Sequence, residues 1–365
     1  MLCIGLMSGT SLDGVDAVLA KFSADGKPLL LEHCHLPFPA ELRQQLMRLQ
    51  SPGPNELHDA ALAANTLVLL YHQAVQKLLQ QTDHVPAQIN CIAVHGQTVR
   101  HRPELGYTWQ LNNPALLAEL SAIDVIADFR SRDLAAGGQG APLTPAFHHA
   151  VLAHPQRSRL VVNLGGIANV TVLIPHQPVI GYDIGPANLL LDGWVQQHLG
   201  QPYDKNGAWA AIGEVNELLL QRLLNEPFFA QPAPKSTGRD WFHLAWLRQH
   251  LQGFESLAPE DVQRTLVELT ARLISRETLT AGEPIDEVIL CGGGAYNQCL
   301  LDALHNCLPG SARLTTSADY NMAPEHVEAL AFAWLGWRHR QRQAGNLPDV
   351  TGARGPRLLG ALYPA

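Results

Sequence analysis

One pattern in this 365-residue chain limits its fold more than any other: an apolar run, a turn rich in glycine, and a second apolar run. The pattern occupies Leu2–Met7 and Val15–Phe22, and it returns 156 positions later as Leu160–Asn163 and Val170–Ile174 around the turn GGIAN. Apolar runs bounded by such turns are typical of β-hairpins. The distance is far longer than the roughly 20–50 residues of a solenoid repeat, so we interpret the pattern as a duplicated domain.

The rest of the chain alternates between strand and helix signals. Apolar residues spaced by three and four predict a helix over Pro54–Gln81, and further helices are predicted over 206–224 and 259–281. Val179–Asp183 predicts a strand, and Pro186 is expected at the first position of the helix that follows it. Alternation of this kind predicts the α/β class.

The charge balance and the composition exclude several classes of partner. The chain has 25 basic and 33 acidic residues, a net charge of −8, which argues against nucleic acid or an anionic membrane surface as a main partner. No apolar run approaches the roughly 20 residues of a membrane span. No basic region precedes the apolar N-terminus, so we expect no secretory signal. The six cysteines contain no CxxC pair and are expected to be free thiols in the cytoplasm.

Three glycine turns could hold phosphate groups: Gly9–Asp16, Gly165–Asn169 and Gly292–Asn297. Consecutive backbone N–H groups in a concave turn bind phosphate, and glycine permits the geometry and the close approach. In the first turn, Asp13 and Asp16 are carboxylates suited to hydrated Mg²⁺. Each turn alone also fits an ordinary structural turn, and neither a P-loop nor a dinucleotide fingerprint is present. Together the three turns favour a nucleoside triphosphate as ligand.

Longer strings carry a family resemblance. They include IGLMSGTSLDGVDAVL, ADFRSRDLAAGGQGAPLTPAFH, NLGGIANVT, YDIGPANLLLD, PKSTGRDWF, CGGGAYN and VEALAFAWL, in this order from residue 4 to about residue 335. On these strings the chain resembles the anhydro-N-acetylmuramic acid kinases, within the superfamily of sugar kinases, heat-shock chaperones and actin. The resemblance implies an α/β fold of two ribonuclease-H-like (actin-like ATPase) domains with a central cleft. We expect the first domain at 1–130 together with about 346–365, and the second at 131–345.

The resemblance also implies a reaction. A kinase of this family uses ATP and Mg²⁺, opens 1,6-anhydro-N-acetylmuramic acid with water, and phosphorylates the freed 6-oxygen. The products are N-acetylmuramic acid 6-phosphate and ADP, in cytoplasmic peptidoglycan recycling. The expected partners are therefore ATP and a small amino sugar, while the assembly state stays open, with a homodimer as one alternative. Two other functions stay open: an ATP-clamp or chaperone-like ATPase of the same superfamily, and an ordinary hexose kinase.

Asp183 is the predicted catalytic base, since it ends a strand at the carboxyl edge where α/β sheets place ligands. A cap on the following helix is the alternative interpretation. The resemblance implies that this aspartate activates the water, and that Asp13 and Asp183 are the metal ligands. The implied ATP-binding residues come from the three turns: Gly9, Thr10, Ser11, Leu12, Asp13, Gly14, Val15, Asp16, Gly165, Gly166, Gly292, Gly293, Gly294 and Asn297.

The predicted substrate-binding residues are Arg130, His95, Gln97, Asn188 and Glu328. A guanidinium matches a carboxylate through two hydrogen bonds, and the anhydro sugar carries a lactyl carboxylate. A solvated surface arginine remains the alternative for Arg130, and a hydrogen-bonded core position remains the alternative for His95.

Some residues leave further questions open. Lys235 is offered as a mobile cation near phosphate, with a solvated loop position as the alternative. Asn112 and Asn321 stand where this family more often has glycine, and asparagine tolerates the left-handed backbone better than most residues.

Overall fold

The computed structural model describes residues 1–9, 11–239 and 241–365. The strands are β1 (Leu2–Met7), β2 (Gly14–Phe22), β3 (Pro28–Pro37), β4 (Cys91–Val94), β5 (Gln97–Arg102), β6 (Tyr107–Leu111), β7 (Val125–Ala127), β8 (Arg159–Leu164), β9 (Ile167–Leu173), β10 (Ile180–Pro186), β11 (Glu287–Cys291), β12 (Arg313–Thr316) and β13 (Ala361–Tyr363). The helices are α1 (Ala40–Arg48), α2 (Glu56–Thr82), α3 (Pro114–Ser121), α4 (Ser131–Ala135), α5 (Thr144–Leu152), α6 (Asn188–Leu199), α7 (Glu217–Leu224), α8 (Leu244–His250), α9 (Pro259–Thr280), α10 (Gln298–Cys307), α11 (Val327–Arg340) and α12 (Pro348–Thr351).

The chain divides into two compact units. The first unit contains residues 1–151 and 326–365, and the second contains residues 152–325. The boundary expected at 346 differs because α11 packs on β1, β2 and β4 of the first unit. The boundary expected at 130 differs because Asp133 is hydrogen-bonded to Asn346 and Thr351 of that unit. The packing is close: a Cβ added to Gly5 of β1 would lie 2.0 Å from the carbonyl oxygen of Ala329 on α11. Residues 131–151 and 326–345 therefore belong to the first unit rather than the second.

The sheet of the first unit has the strand order β13-β7-β4-β1-β2-β3. Strand β2 runs antiparallel to both of its neighbours, while β1, β4 and β7 are mutually parallel. Strand β13 returns from the C-terminal segment, which is expected to belong to the first domain, and pairs antiparallel with β7. Buried residues of α2, among them Leu67, Val68 and Tyr71, join Ile4 and Leu6 of β1 in one hydrophobic core.

The sheet of the second unit has the order β10-β9-β8-β11-β12. Strand β9 is antiparallel to β8 and β10, and β8, β11 and β12 are parallel. In both sheets the first strand therefore has an antiparallel hairpin partner on one side and a parallel strand on the other. This shared topology is the ribonuclease-H-like arrangement, and it confirms the α/β fold and the duplication.

Two of the predicted helices are confirmed and one prediction is wrong. Helices α2 and α9 follow the predicted ranges within two residues. The predicted helix over 206–224 is instead a pair of 3₁₀ turns followed by α7, which begins at Glu217. Asn206 and Gly207 adopt left-handed φ values of 60° and 68°, which interrupt a right-handed helix.

The start of the helix after Asp183 also differs from the prediction. Pro186 is the last residue of β10, and α6 begins at Asn188 after the cap residue Ala187. The strand continues because Pro186 pairs with Ile167 of β9 beyond a register shift at Asp183 and Gly185.

None of the helices in the described residues is long and apolar enough to cross a membrane. All six cysteines are free thiols, as predicted, and five of them are buried.

Candidate active site

The first glycine turn connects β1 to β2 and is stabilised by hydrogen bonds to the carboxylate of Asp13, a residue of the turn. Asp13 Oδ1 accepts hydrogen bonds from Ser11 Oγ at 2.8 Å and from the amide of Gly14 at 2.9 Å. Leu12 has a left-handed φ of 57°, and its amide donates to the carbonyl of Gly9 over 3.3 Å. The Leu12 side chain is buried, so the turn is fastened to the core of the first unit.

Three of the residues predicted for this turn, Gly14, Val15 and Asp16, belong to strand β2, and Thr10 lies outside the described residues. Gly14 is required by packing, since a Cβ there would lie 2.4 Å from the carbonyl oxygen of Leu36 on β3.

Gln97, the first residue of β5, supports this turn. Its side chain is fully buried, and Nε2 donates a 3.0 Å hydrogen bond to the carbonyl oxygen of Gly9. Its Oε1 is buried and accepts no hydrogen bond from any described residue. The predicted substrate residue Gln97 is thus engaged with the backbone of the first turn through its amide nitrogen.

Asp16 is paired with a residue that the sequence interpretation did not assign to the site. Asp16 Oδ1 lies 2.8 Å from Nδ1 of His35, its partner on β3. This hydrogen bond raises the pKa of His35, against the opposing effect of burial. Cross-strand pairing is what brings the two together, and only the register of β2 and β3 could have revealed it.

Arg130 and His95 are in direct contact in the first unit. Nε and Nη2 of Arg130 lie 3.1 and 2.9 Å from Nε2 of His95, and Nη1 donates to the carbonyl of Gly140 over 2.8 Å. Burial lowers the pKa of Arg130 to about 10, although the charges of Glu328 and Asp133 oppose the shift. Burial raises the pKa of Glu328, which is half-buried on α11. The structure therefore brings together three of the predicted substrate residues.

Asp133 organises the loop that carries Arg130, and the sequence interpretation missed it. It is fully buried and accepts hydrogen bonds from the Gly140 amide at 2.8 Å, Asn346 Nδ2 at 2.6 Å and Thr351 Oγ1 at 2.8 Å. The loop is in this way fastened to the C-terminal segment of the same unit. Both partner residues lie more than 200 positions away, so no local pattern could have revealed the contact.

The second glycine turn connects β8 to β9 and lies at the start of α6. The carbonyl of Gly165 accepts from the amide of Asn188 at 3.1 Å, and the carbonyl of Gly166 accepts from Ala187 and Leu189 at 3.0 Å each. A Cβ added to either glycine would lie no closer than 3.6 Å to any other described residue, and neither glycine has a positive φ. Packing and backbone conformation therefore do not require glycine at either position.

Asn188, a predicted substrate residue, is bonded within its own unit. Its Nδ2 donates to the carbonyl of Leu164 over 2.9 Å, and its Oδ1 lies 3.1 Å from the position of a Cβ on Gly294. The asparagine is therefore hydrogen-bonded to the end of β8 and lies close to Gly294 of the third turn.

The three glycines of the third turn differ in their environments. Gly292 has a φ of 81°, and a Cβ there would lie 2.5 Å from Oδ1 of Asn163. Gly294 is crowded by Leu164, whereas Gly293 is exposed, and within the part of the chain that the structure describes a Cβ added to it would meet no atom within 4 Å. Asn297 caps α10, because its Oδ1 accepts from the amide of Leu300 at 3.1 Å. Only Gly293 presents an unobstructed backbone.

Asp183 is bonded to a distant segment rather than to the helix that follows it. Its Oδ2 accepts hydrogen bonds from Ser236 Oγ and from the Thr237 amide, both at 3.0 Å. Burial raises the pKa of Asp183, and the two hydrogen bonds oppose this shift. The helix-cap alternative is therefore wrong. Lys235 precedes these donors, and its Nζ donates to two main-chain carbonyls, so it is not a freely mobile cation.

Of the two asparagines at unusual positions, one adopts the left-handed backbone. Asn321 has a φ of 60°, as its replacement of a glycine predicts. Asn112 has no positive φ, and its Oδ1 instead accepts from the amide of Asn113.

The comparisons with known proteins agree along the whole chain. The family model described as "Anhydro-N-acetylmuramic acid kinase" matches residues 1–365. The anhydro-N-acetylmuramic acid kinase of Bordetella petrii is 55% identical over 367 residues, covering 100% of this chain and 96% of the relative. The enzyme of the same name from Bordetella avium is 56% identical over 364 residues, covering 99% and 96%.

Among solved structures, the activator of the 2-hydroxyisocaproyl-CoA dehydratase from Clostridium difficile with bound ADPNP matches with a TM-score of 0.47. The two chains are 13% identical, and the match covers 94% of this chain and 96% of that one. The family model and the relatives at 55% and 56% identity all carry the same description, anhydro-N-acetylmuramic acid kinase. The chain therefore belongs to the anhydro-N-acetylmuramic acid kinase family.

Proposed function

We propose that this protein is an ATP-dependent kinase that opens 1,6-anhydro-N-acetylmuramic acid with water and phosphorylates its 6-oxygen. The observation that carries the proposal is Asp183, a half-buried carboxylate that is held through one oxygen while the other receives no hydrogen bond from any described residue. A fixed carboxylate with one available oxygen is what general-base catalysis needs. Membership of the family supplies the substrate class.

In the proposed reaction, Asp183 takes a proton from water as the water oxygen bonds to the anomeric carbon. The bond from that carbon to the 6-oxygen breaks, the 6-oxygen bonds to the γ-phosphorus, and the bond from the γ-phosphorus to ADP breaks. The proton passes from Asp183 to solvent, so the products are N-acetylmuramic acid 6-phosphate and ADP. Such a reaction depends on positioning and on stabilising the charge of the phosphoryl group.

ATP is proposed to bind through the three glycine turns. Gly165, Gly166 and Gly293 support this role, because neither crowding nor a positive φ requires glycine at these positions. The remaining reason for glycine at these positions is that a phosphate or a nucleoside approaches the backbone closely.

Mg²⁺ is proposed to accompany the triphosphate, with Asp13 and Asp183 as its carboxylates. In the residues described, no group of three or more His, Cys, Asp or Glu side chains could hold a metal alone. This fits Mg²⁺, which keeps several waters and uses one or two carboxylates together with substrate phosphates. Asp13 Oδ1 is engaged with the first turn, and no described residue donates to its second oxygen. When bound, the ion would neutralise phosphate charge.

For the sugar, Arg130 is proposed to bind the lactyl carboxylate, and His95, Gln97, Asn188 and Glu328 to line or support the substrate site. A pair of guanidinium donors suits a carboxylate. We place the reaction in cytoplasmic peptidoglycan recycling.

Turnover assays with the purified protein test the proposal. ATP should be consumed only when the anhydro sugar is present, and the product should be heavier than the sugar by one phosphate and one water. Asp183→Asn should lower kcat by about 100-fold or more while ATP binding by calorimetry persists. Asp59→Asn, an exposed aspartate on α2, is the matched control.

The other functions give different results in the same assays. An ordinary hexose kinase would add phosphate alone to a free hydroxyl. An ATP-clamp or chaperone-like ATPase would hydrolyse ATP at the same slow rate with and without sugar. Full activity of Asp183→Asn would remove Asp183 from the base role.

A further inference from the structure

Asp183 is held through its main chain and its side chain by the segment Lys235–Thr237. Among the described residues, β10 has β9 as its strand partner on one edge, and on the other edge the amide of Asp183 donates to the carbonyl of Lys235 over 3.1 Å. The next two residues, Ser236 and Thr237, donate to Oδ2 of Asp183. Three consecutive residues thus fix both the position of the strand and the direction of the carboxylate.

The segment is itself anchored by the side chain of Lys235. Its Nζ donates to the carbonyl oxygens of Phe228 at 3.3 Å and Phe229 at 3.1 Å, and it lies 5.0 Å from the centroid of the Phe228 ring. Hydrogen bonds from a charged donor are the stronger kind, and the aromatic face adds a further attraction. The ammonium group therefore holds the segment against a short 3₁₀ turn of the same unit.

Phe229, which accepts a hydrogen bond from Lys235, also packs against β10, the strand that carries Asp183. Gly185 has a φ of 152°, and a Cβ there would lie 2.8 Å from Cε1 of the Phe229 ring. The carbonyl of Phe229 also accepts a 2.7 Å hydrogen bond from Nη2 of Arg276, which fixes the acceptor that Lys235 uses. The path from Lys235 through Phe229 to Gly185 is close-packed at each step.

Tyr182 shows that the opposite side of β10 is occupied by a separate set of groups. Its hydroxyl donates to Glu277 Oε2 over 2.5 Å, and both residues line a cavity of about 430 Å³ together with Lys235 and Arg276. Because side chains alternate along a strand, Tyr182 and Asp183 point to opposite faces. Lys235 therefore acts from behind the strand, whereas Ser236 and Thr237 act on the carboxylate itself.

The two oxygens of Asp183 are consequently unequal. Oδ2 accepts two hydrogen bonds, while no described residue donates to Oδ1. Each carboxylate oxygen has about two lone pairs, so the two donors occupy those of Oδ2, and both lone pairs of Oδ1 remain for a further proton and for the proposed contact with Mg²⁺.

We propose that Lys235 and Ser236 are positioning residues that keep Oδ2 of Asp183 in its hydrogen bonds to the segment. Oδ1 is then the oxygen that takes the proton from the attacking water. The inference rests on the proposed function and deepens it. The proton that leaves the water becomes bound to Oδ1, the water oxygen becomes bound to the anomeric carbon, and no further reactant is needed.

Steady-state kinetics of Ser236→Ala, Ser236→Thr, Lys235→Met and the double variant Lys235→Met/Ser236→Ala test the inference. Ser236→Ala and Lys235→Met should each lower kcat by roughly 10- to 100-fold, while KM for ATP and for the sugar stays within about twofold. Ser236→Thr keeps the hydroxyl and should recover most of kcat. The double variant should be little slower than the slower single variant, since both changes release the same carboxylate.

Ser256→Ala and Lys77→Met, both exposed and outside this segment, are the matched controls and should retain wild-type kcat. Far-ultraviolet circular dichroism and thermal unfolding report whether each variant is folded, and Ser236→Thr tests the role of the hydroxyl if Lys235→Met does not fold. A raised KM at unchanged kcat would mean that the segment binds substrate, and independent multiplicative losses would mean that Lys235 does not act through Ser236. Either outcome overturns the inference.

The same kinetic measurements distinguish a failure of the proposed function from a failure of this inference alone. If the wild-type protein shows no turnover of the anhydro sugar, the proposed function and this inference both fail. If the wild-type protein turns over and Ser236→Ala matches it, only the inference fails.

Discussion

The guanidinium of Arg130 is bound to the imidazole of His95, with Nε and Nη2 at 3.1 and 2.9 Å from Nε2 of the histidine. An arginine is always a donor, so Nε2 of His95 must accept through its lone pair, and the imidazole is neutral. Burial and the positive charge of Arg130 lower the pKa of His95 well below its ordinary value, in agreement with this assignment. His95 therefore fixes the orientation of the Arg130 guanidinium and is not charged at neutral pH.

Replacing His95 tests this relationship. His95→Leu removes the acceptor and leaves part of the Arg130 guanidinium unpaired, so we expect KM for the sugar to rise about tenfold or more. KM for ATP should change little. His95→Gln, which retains an acceptor, should lie between the wild type and His95→Leu. Steady-state kinetics with the sugar varied at saturating ATP measure the effect, and an unchanged sugar KM in His95→Leu contradicts it.

The pair of Asp16 and His35 predicts a shifted titration. The hydrogen bond from Asp16 stabilises the protonated imidazole, so the pKa of His35 is raised above 6.5. A raised histidine pKa gives stability that is present below the unfolded value and is lost as pH rises through the folded pKa. Titration by NMR should show His35 above 6.5, and Asp16→Asn should lower it. An unchanged His35 pKa in Asp16→Asn would mean that the pair does not form in solution.

The sequence predicts the strand that carries Asp183 but not the groups that hold its carboxylate. The short apolar run before Asp183 is a local signal, and so are the glycine turns and the periodicity of α2 and α9. Ser236 and Thr237 reach Asp183 across more than 50 positions of chain, through an edge-strand contact that only tertiary packing creates. Long-range pairing leaves no periodic trace, which is why PKSTGRDWF is recognisable as a motif while its contact is not.

The same distinction applies to helix and domain ends. Pro186 is a common first residue of a helix, but its pairing with Ile167 extends β10 by two residues beyond the register shift. Likewise, α11 follows the second unit in sequence and packs on the sheet of the first. Tertiary contacts override the local preference in both cases.

Replacing the buried Asp133 should lower the free energy of unfolding by a large amount. Asp133→Ala removes the acceptor of three hydrogen bonds from buried or half-buried donors, so the free energy of unfolding should fall by about 3 kcal/mol or more. The Gly140 carbonyl, which accepts from Arg130, would lose its fixed position at the same time. Urea unfolding measures the change, with Asp349→Ala as the exposed control. A loss no larger than the control's contradicts the role of Asp133.

Gly292 and Gly293 are adjacent, and the structure predicts opposite results for the same substitution. Gly292→Ala forces a methyl group into a left-handed backbone and to within 2.5 Å of Asn163 Oδ1, so stability should fall by about 2 kcal/mol or more. The methyl group of Gly293→Ala would meet no atom of the described ranges within 4 Å, so the substitution should change stability by less than about 0.5 kcal/mol. If the exposed Gly293 backbone approaches the nucleotide, Gly293→Ala should still raise KM for ATP at unchanged sugar KM. Chemical unfolding and ATP-dependent kinetics on the two variants separate a glycine needed for folding from one needed for ligand approach. A destabilised Gly293→Ala, or one with wild-type ATP kinetics, contradicts this assignment.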